Sequence, residues 1–261
     1  MRRCNHYDRI LVLRTRLKKN TLKHLGKIIG HRGVAALAPE NTLASFALAH
    51  HYGLSSVEFD VTLTADGEAF VFHDETLQRT TNGKGQIALV KADYVQSLDA
   101  GSWFSAQYTK TKVPSLRETL VWLRAHKMSA NIEIKPAPGC VHTTVHTVLG
   151  LVDELWPTTR PLPLISSFDP AVLRLCRALH PHIPISYLLD AWDSKEIDFA
   201  ESLSCVSINL NHRIATPARI EALKKRGFAV YVYTVNYQFL ISRYVAMGVD
   251  GIFSDYPVWK W

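Results

Sequence analysis

The sequence predicts a (β/α)₈ barrel, and three observations support this fold class. Segments with strand periodicity alternate with segments with helix periodicity over about 230 residues, which is typical of a parallel sheet covered by helices. One of the nine strand candidates, residues 68–73, follows its predecessor through a tight turn and must run antiparallel to it, which leaves eight. Eight such units in 261 residues match the size of this barrel, whereas the alternative, an open doubly wound sheet, lacks its GxGxxG fingerprint here.

The first part of the chain contains two strands, one helix and a hairpin. Residues 27–30 read as a short buried strand, and Pro39–Thr42 opens a helix that Gly53 closes. A strand over residues 56–61 leads into the hairpin signal Thr64–Gly67 and the returning arm 68–73. We assign this hairpin to an insertion over about residues 62–113, above the barrel mouth, and expect residues 75–113 to be irregular.

Regular alternation resumes after the insertion. Ser115 and Glu118 form a predicted capping box that opens a helix through about Ala125. Asp169 and Thr216 are predicted N-caps, each followed by proline at the first helical position. The other predicted elements are a helix near 141–155 and strands at 130–135, 164–168, 185–189, 205–210, 229–234 and 251–254.

The positive charge of the chain is confined to its beginning. The formal net charge is +7, but residues 1–27 contain nine Lys or Arg and one acidic residue, so the remainder is nearly neutral. This distribution argues against a nucleic-acid partner for the body of the protein. We therefore predict a basic extension over residues 1–26, flexible and without a role in the fold, and a single domain over residues 27–261.

The remaining compositional features point to a cytoplasmic protein. The four cysteines are scattered without CxxC spacing, which favours free thiols. No apolar stretch approaches the roughly 18 residues of a membrane helix, and Arg14 interrupts the short apolar run 10–13, so we predict neither a signal peptide nor stable membrane insertion. Ile10, Leu13 and Leu17 would form one stripe of a surface helix, but a dispensable leader is the simpler interpretation.

Charged residues occupy the inner faces of two predicted strands. Val57, Phe59 and Val61 alternate with Glu58 and Asp60, and the strand at 130–135 alternates in the same way. The side chains that fall at the carboxyl ends of the strands are His31, Arg32, Glu58, Asp60, Glu133 and Lys135, and the hairpin returns His73 and Asp74 to the same end. Chemistry in this fold is located at that end of the barrel.

These residue types together indicate phosphate-ester hydrolysis. Ligands that are all carboxylates select a hard cation, Mg²⁺ or Ca²⁺, over zinc. Arg32 and Lys135 beside such a cation provide a site for an anion, and a phosphate fits this combination. Two histidines with ordinary pKa values near 6.5 can serve as a base and an acid at neutral pH.

Short motifs recur from the first strand to the last: His31-Arg32-Gly33, Pro39–Thr42, Glu58–Val61, Thr64–Gly67, His73-Asp74, Asn131–Pro136, Ser166–Phe168, Tyr233–Asn236 and Gly248–Asp255. Together they resemble the glycerophosphodiester phosphodiesterase family, in particular its bacterial cytosolic members. They cover residues 28 to about 257, and residues 1–26 have no counterpart in the family core.

The resemblance implies a role for each candidate residue. It implies His31 and His73 as the acid–base pair, Glu58, Asp60 and Glu133 as ligands of Mg²⁺ or Ca²⁺, and Arg32 and Lys135 on the phosphate. The substrate would be a small glycerophosphodiester, cleaved to sn-glycerol 3-phosphate and an alcohol. Initial attack by the glycerol hydroxyl and direct attack by water both stay open, and the oligomeric state is not predicted.

Other interpretations of these residues are available. Lys135 could only neutralise Glu133, Arg32 could be a structural clamp, and Trp103, Phe104, Phe168 and Tyr233 could pack rather than bind substrate. At the level of function, the alternatives are a barrel that cleaves a lipid diester and an inactive barrel that only binds phosphate. The near-neutral body argues against the first, and the paired histidines argue against the second.

Overall fold

Alternating strands and helices build the fold predicted from the sequence. The computed structural model describes residues 22–257. Its strands are β1 (Ile28–Gly30), β2 (Ser56–Leu63), β3 (Ala69–Val71), β4 (Ser129–Ile134), β5 (Leu164–Ser167), β6 (Ile185–Leu189), β7 (Ser207–Asn211), β8 (Ala229–Tyr233) and β9 (Gly251–Ser254). Its α-helices are α1 (Leu43–His51), α2 (Ala92–Ser97), α3 (Leu116–Ala125), α4 (Val141–Leu155), α5 (Pro170–Leu179), α6 (Ser194–Ser202), α7 (Pro217–Lys225) and α8 (Gln238–Ala246).

Eight of these strands close into a parallel barrel. The hydrogen-bonded order is β1-β9-β8-β7-β6-β5-β4-β2, and a further pairing between β1 and β2 completes the ring. Strand β3 lies outside the ring and pairs antiparallel with β2, with Leu63 opposite Ala69. The predicted (β/α)₈ barrel with a hairpin after its second strand is therefore confirmed.

The two faces of the barrel strands bury different side chains. Val57, Phe59 and Val61 on β2 belong to the large apolar cluster between the strands and the helices. A second cluster of inward-facing side chains fills the lower part of the barrel: Leu22, Leu25, Ile29, Leu164, Val206, Tyr231 and Phe253. Because side chains alternate along a strand, Glu58 and Asp60 point into the barrel above this cluster.

The predicted helix starts are present in the structure. Ser115 and Glu118 form the complete capping box of α3. The side chain of Asp169 caps α5, that of Thr216 caps α7, and proline follows each as the first helical residue. These caps satisfy backbone N–H groups that have no partner within the helix.

The segment between β3 and α3 is more ordered than we expected from its composition. It contains the short helix α2 and two 3₁₀ turns, Ile87–Leu89 and Ala106–Tyr108. Its apolar side chains form a cluster of their own with the β3 arm: Phe70, Phe72, Leu77, Ile87, Ala92, Val95, Leu98, Ala100 and Val113. The sequence does not indicate this cluster, because its members are spread over more than forty residues without a helix or strand period.

Residues 22–26 pack beneath the barrel, although we assigned them to the basic extension. A 3₁₀ turn at Lys23–Leu25 buries Leu25 completely, and the hydroxyl of Ser56 donates a hydrogen bond to the Leu25 carbonyl. The rest of the extension, residues 1–21, lies outside the described residues. Among residues 22–257, no helix has the length and apolar character needed to span a membrane.

Candidate active site

Three carboxylates converge at the carboxyl ends of two neighbouring strands. Strands β2 and β4 pair in parallel with Asp60 opposite Glu133, and Glu58 lies two residues earlier on β2, on the same inward face. One oxygen from each of Glu58, Asp60 and Glu133 lies within 4.8 Å of the others. Glu58 and Asp60 are almost completely buried, and Glu133 is partly exposed. The sequence-predicted acidic cluster is thus present as a compact group.

The turn after β1 supplies the partners of these carboxylates. Arg32 has a positive φ of 49°, and its backbone N–H donates to Oε2 of Glu58 at 3.0 Å. Asn41, also at positive φ, donates from its side-chain amide to Oδ2 of Asp60 at 2.9 Å. Left-handed backbone at two non-glycine residues is uncommon and concentrates at functional sites, where the surrounding structure holds it.

The three carboxylates fit a divalent cation. Burial and the charge of Asp60 raise the pKa of Glu58 to about 7, and the same two causes raise the pKa of Glu133. Burial acts on Asp60 as well, but Arg32 and Lys135 outweigh it and lower the pKa of that carboxyl. Oε1 of Glu58 is buried without a hydrogen-bond partner among the described residues. A hard cation with oxygen ligands would satisfy this oxygen and offset the repulsion within the cluster.

His31 follows β1 and is oriented by the end of β9. Its Nδ1 lies 2.6 Å from Oδ1 of Asp255, and the other carboxylate oxygen accepts a hydrogen bond from Asn236 at 2.7 Å. Its Nε2 lies 3.9 Å from Oε2 of Glu58. Burial alone would lower the pKa of His31, but Glu58 and Asp255 outweigh it and raise the pKa. Because the pKa of Asp255 is lowered, Asp255 is an acceptor and the Nδ1 of His31 carries a proton.

His73 has the same arrangement on the β3 side of the mouth. Its Nδ1 lies 2.6 Å from Oδ1 of Asp74, and Arg79 donates to both oxygens of that carboxylate. These bonds from Arg79 and His73 lower the pKa of Asp74, so the ionised carboxylate accepts a hydrogen bond from the Nδ1–H of His73. Burial lowers the pKa of His73, and the charges of Arg32 and Lys135 lower it further against the opposing effect of Asp60.

The two predicted phosphate-binding cations flank the carboxylates. Nη1 of Arg32 donates to Glu40 at 2.7 Å, and its Nε lies 3.4 Å from Asp60 without a hydrogen-bond partner among the described residues. Nζ of Lys135 lies 3.7 Å from Asp60 and 4.0 Å from Glu133. Both Lys135 distances are too long for a hydrogen bond, so neither carboxylate holds the ammonium group in direct contact.

A pocket opens between this charged group and an apolar wall. It is lined by His31, Glu58, Asn131 and Glu133 on one side and by Phe168, Leu188, Tyr233 and Phe253 on the other. Phe168 and Tyr233 meet edge to face, and the Tyr233 hydroxyl donates to Asp190 at 2.9 Å. Trp103 and Phe104 contact each other in the insertion and do not line this pocket.

Sequence reasoning did not assign roles to the residues that hold the histidines and the arginine. Asp255, Asn236 and Asp74 lie within the motifs, and Glu40 lies in the helix-opening motif, but we gave none of them a function. Arg79 was not singled out: its contact with Asp74 spans five positions without a helix or strand period, and its other partner, Glu40, is 39 positions away.

A sequence model of the glycerophosphoryl diester phosphodiesterase family matches residues 31–258 of this chain. The chain belongs to this family. The predicted family membership and enzyme class are thereby confirmed. The match begins at His31, the first residue of the site.

Individual family members match nearly the full length of the chain. A glycerophosphodiester phosphodiesterase of Caldanaerobacter subterraneus is 31% identical over 230 residues, which cover 88% of this chain and 94% of that protein. The structure of a phosphodiesterase from Oleispira antarctica, in complex with the product sn-glycerol 3-phosphate, aligns with a TM-score of 0.88 and 34% sequence identity and covers 91% of this chain and 96% of the other. A glycerophosphodiester phosphodiesterase from Agrobacterium tumefaciens is 31% identical with a TM-score of 0.72 and covers 89% and 97%.

Proposed function

We propose that this chain hydrolyses glycerophosphodiesters, such as glycerophosphocholine and glycerophosphoethanolamine, to sn-glycerol 3-phosphate and an alcohol. The observation that carries the proposal is the convergence of two histidines, three carboxylates and two cations at one barrel mouth. The Oleispira antarctica relative, with the same fold, is in complex with sn-glycerol 3-phosphate. Fold alone does not define a reaction, so the proposal depends on the side chains of the site.

In this proposal, Glu58, Asp60 and Glu133 hold a divalent cation, Mg²⁺ or Ca²⁺. The cation would act as a Lewis acid on a phosphoryl oxygen and offset the charge that develops there. Arg32 and Lys135 bind the phosphoryl oxygens, and the 17% and 29% exposure of their side chains leaves both accessible from the mouth. An arginine and a lysine on one phosphoryl group would fix its orientation between the two histidines.

His31 and His73 transfer protons in the proposed reaction. Each imidazole has its Nδ1 bonded to a carboxylate at 2.6 Å, which leaves Nε2 as the atom that faces the substrate. One Nε2 accepts the proton of the attacking hydroxyl and the other donates a proton to the departing alkoxide, and a pair of this kind suits both attack by the glycerol hydroxyl and attack by water. We expect selectivity for the glycerol half, because sites that hydrogen-bond hydroxyl groups strongly reject analogues that lack them.

The direct test measures release of glycerol 3-phosphate from glycerophosphocholine in the presence of Mg²⁺ or Ca²⁺. His31→Ala and His73→Ala should each lower turnover by at least about 100-fold, the usual contribution of one acid–base group. His180→Ala is the matched control, because Nε2 of His180 also lies near a carboxylate, 3.1 Å from Asp153, but on the outer surface. It should leave turnover unchanged.

Two results would contradict the proposal. Near-wild-type turnover in both active-site variants would show that the histidines are not needed for the reaction. Comparable rates on bis(p-nitrophenyl) phosphate and glycerophosphocholine would show that the enzyme does not select for glycerol, since the former has no glycerol half.

A further inference from the structure

One arginine outside the predicted site connects Asp74 and Glu40, the carboxylates beside His73 and Arg32. Arg79 lies in the turn that follows the β3 arm, and its guanidinium makes four hydrogen bonds to two carboxylates. Nε and Nη2 donate to Oδ2 and Oδ1 of Asp74 at 2.6 and 2.8 Å. Nη1 and Nη2 donate to Oε2 and Oε1 of Glu40, both at 2.8 Å. All three nitrogens are therefore engaged, and each carboxylate is held through both of its oxygens.

Each of these carboxylates also holds a residue of the proposed reaction. Oδ1 of Asp74 accepts from Nδ1 of His73, and Oε1 of Glu40 accepts from Nη1 of Arg32. The result is a continuous chain of hydrogen bonds from His73 through Asp74, Arg79 and Glu40 to Arg32. It joins the segment after β3 to the turn after β1, which belong to two different connections of the chain.

We propose that Arg79 is a positioning residue that fixes the acid–base imidazole of His73 and the phosphate-binding guanidinium of Arg32 relative to each other. The inference rests on the proposed function, because it needs His73 and Arg32 to act on one substrate. The four hydrogen bonds of the Arg79 guanidinium all go to Asp74 and Glu40, so its effect on the site passes through these two carboxylates.

The geometry of the side chain explains why an arginine occupies this position. A guanidinium is planar and presents its N–H donors in a fixed fork, so two carboxylates bonded to it are held in one mutual orientation. A lysine ammonium would supply the charge without this orientation. The guanidinium also lowers the pKa of Asp74, and the ionised carboxylate accepts a hydrogen bond from Nδ1–H of His73, which leaves Nε2 directed at the substrate.

The chain provides a comparable ion pair without a link to the site. Arg117 binds both oxygens of Glu154 at 2.6 and 2.7 Å on the outer surface, with both side chains about half exposed. Removing Arg117 should reproduce the general effect of losing a bidentate surface pair, which is small for exposed charges. Any loss of turnover on removing Arg79 beyond that seen on removing Arg117 is then due to the position of Arg79 between Asp74 and Glu40.

The first experiment measures kcat and KM for glycerophosphocholine in three variants, Arg79→Ala, Arg79→Lys and Arg117→Ala. Arg79→Ala should lower kcat by about 10–100-fold, the range seen when residues that orient catalytic groups are lost, and change KM little. Arg79→Lys should recover less than half of the lost kcat, and added guanidinium ion should restore part of it in Arg79→Ala, since 45% of the Arg79 side chain is exposed to solvent. Arg117→Ala should keep wild-type kcat and show no response to guanidinium.

The second experiment does not depend on turnover. Long-range ¹H–¹⁵N NMR spectra of the histidine rings should show the Nδ1-protonated form of His73 in the wild type and in Arg117→Ala. The same signal should be lost or averaged in Arg79→Ala.

Three outcomes would overturn the inference: wild-type kcat in Arg79→Ala, a loss confined to KM, or an unchanged ring signal of His73. If His73→Ala abolishes turnover and Arg79→Ala does not, only this inference fails and the proposed function stands.

Discussion

At the scale of single residues, the carboxylate cluster is an arrangement that the fold alone does not stabilise. Glu58 and Asp60 are buried on one face of β2, and each raises the free energy of ionising its neighbours. In the absence of a cation, the pKa of Glu58 lies at about 7, so a proton occupies this carboxyl below neutral pH. The cluster therefore exchanges protons for a cation, which makes its affinity depend on pH.

We predict that Mg²⁺ and Ca²⁺ bind more tightly as the pH rises from 6 to 8. Below pH 7 the cation must displace the proton of Glu58, whereas above it the carboxylate is already ionised. Isothermal titration calorimetry at three pH values, in buffers of different ionisation enthalpy, would measure both the affinity and the protons released. Glu58→Gln should weaken binding and reduce its pH dependence, and Glu154→Gln on the outer surface should change neither. An affinity that is constant over this range would contradict the prediction.

Sequence patterns locate the principal candidate side chains but not the residues that orient them. The period-two alternation in β2 places Glu58 and Asp60 on the inward face, and the strand ends bring His31 and Glu133 to the same edge. The residues around them are joined by tertiary contacts: Asp255 meets His31 across 224 positions and Arg79 meets Glu40 across 39. No local periodicity encodes such pairs, so only the structure reveals them.

At the scale of elements, the turn between β1 and α1 controls the geometry of the site. Gly33 has a φ of +89° at the point where this turn approaches α1. A Cβ placed there would lie 2.7 Å from Cβ and 2.9 Å from the backbone carbon of Ser45. Ser45 also bonds to the turn, donating to the Arg32 carbonyl and accepting from the Val34 N–H. Any movement away from α1 would therefore displace His31 and Arg32 as well.

We predict that Gly33→Ala lowers both stability and activity, with Gly67→Ala as its matched control. Gly67 has a φ of +85° in the β2–β3 hairpin, but an added Cβ would meet nothing within 4 Å. Both substitutions incur the left-handed penalty of roughly 1–2 kcal/mol, so the difference between them isolates the steric clash at Ser45. Chemical denaturation and turnover of glycerophosphocholine would measure the two effects. Equal losses in both variants would show that the close approach to α1 is unimportant.

Caps and turns were the elements that could be predicted best, because their signals are local. The Ser115–Glu118 box, the two Pro-initiated helices and the Thr64–Gly67 hairpin depend on residues within a few positions of one another. Helices α6 and α8 were expected only from the βα alternation, and the apolar cluster of the insertion was not expected. Its side chains come together through folding of a segment with no regular period.

At the scale of the whole molecule, the barrel is closed at its lower end by residues before β1. Leu22 and Leu25 join inward-facing side chains from four strands and Val206, the residue directly before β7. A fully buried leucine contributes about 2–5 kcal/mol relative to alanine when the cavity does not collapse. These residues therefore belong to the folded domain, and the dispensable extension that the sequence suggested must end before Leu22.

We predict that a variant lacking residues 1–26 unfolds at a lower temperature than one lacking residues 1–21. The comparison isolates residues 22–26, since both variants lack the same preceding segment. Leu25→Ala in the full chain should produce a loss in the same direction, and Leu89→Ala, at a side chain that is 73% exposed, should have little effect. Thermal unfolding followed by circular dichroism would measure these midpoints. Identical midpoints for the two truncations would show that Leu22 and Leu25 are not needed to close the barrel.

The pairing of the first strand with the last has a consequence for biosynthesis. Strand β1 meets β9 through three residue pairs but meets β2 through one, and the carboxylate that orients His31 follows β9 directly. A ribosome translates Glu58, Asp60, His73 and Glu133 long before it reaches Asp255. A nascent chain therefore contains all the carboxylates of the acidic cluster well before it contains the carboxylate that aligns His31, and Asp255 is the last of these groups to be translated.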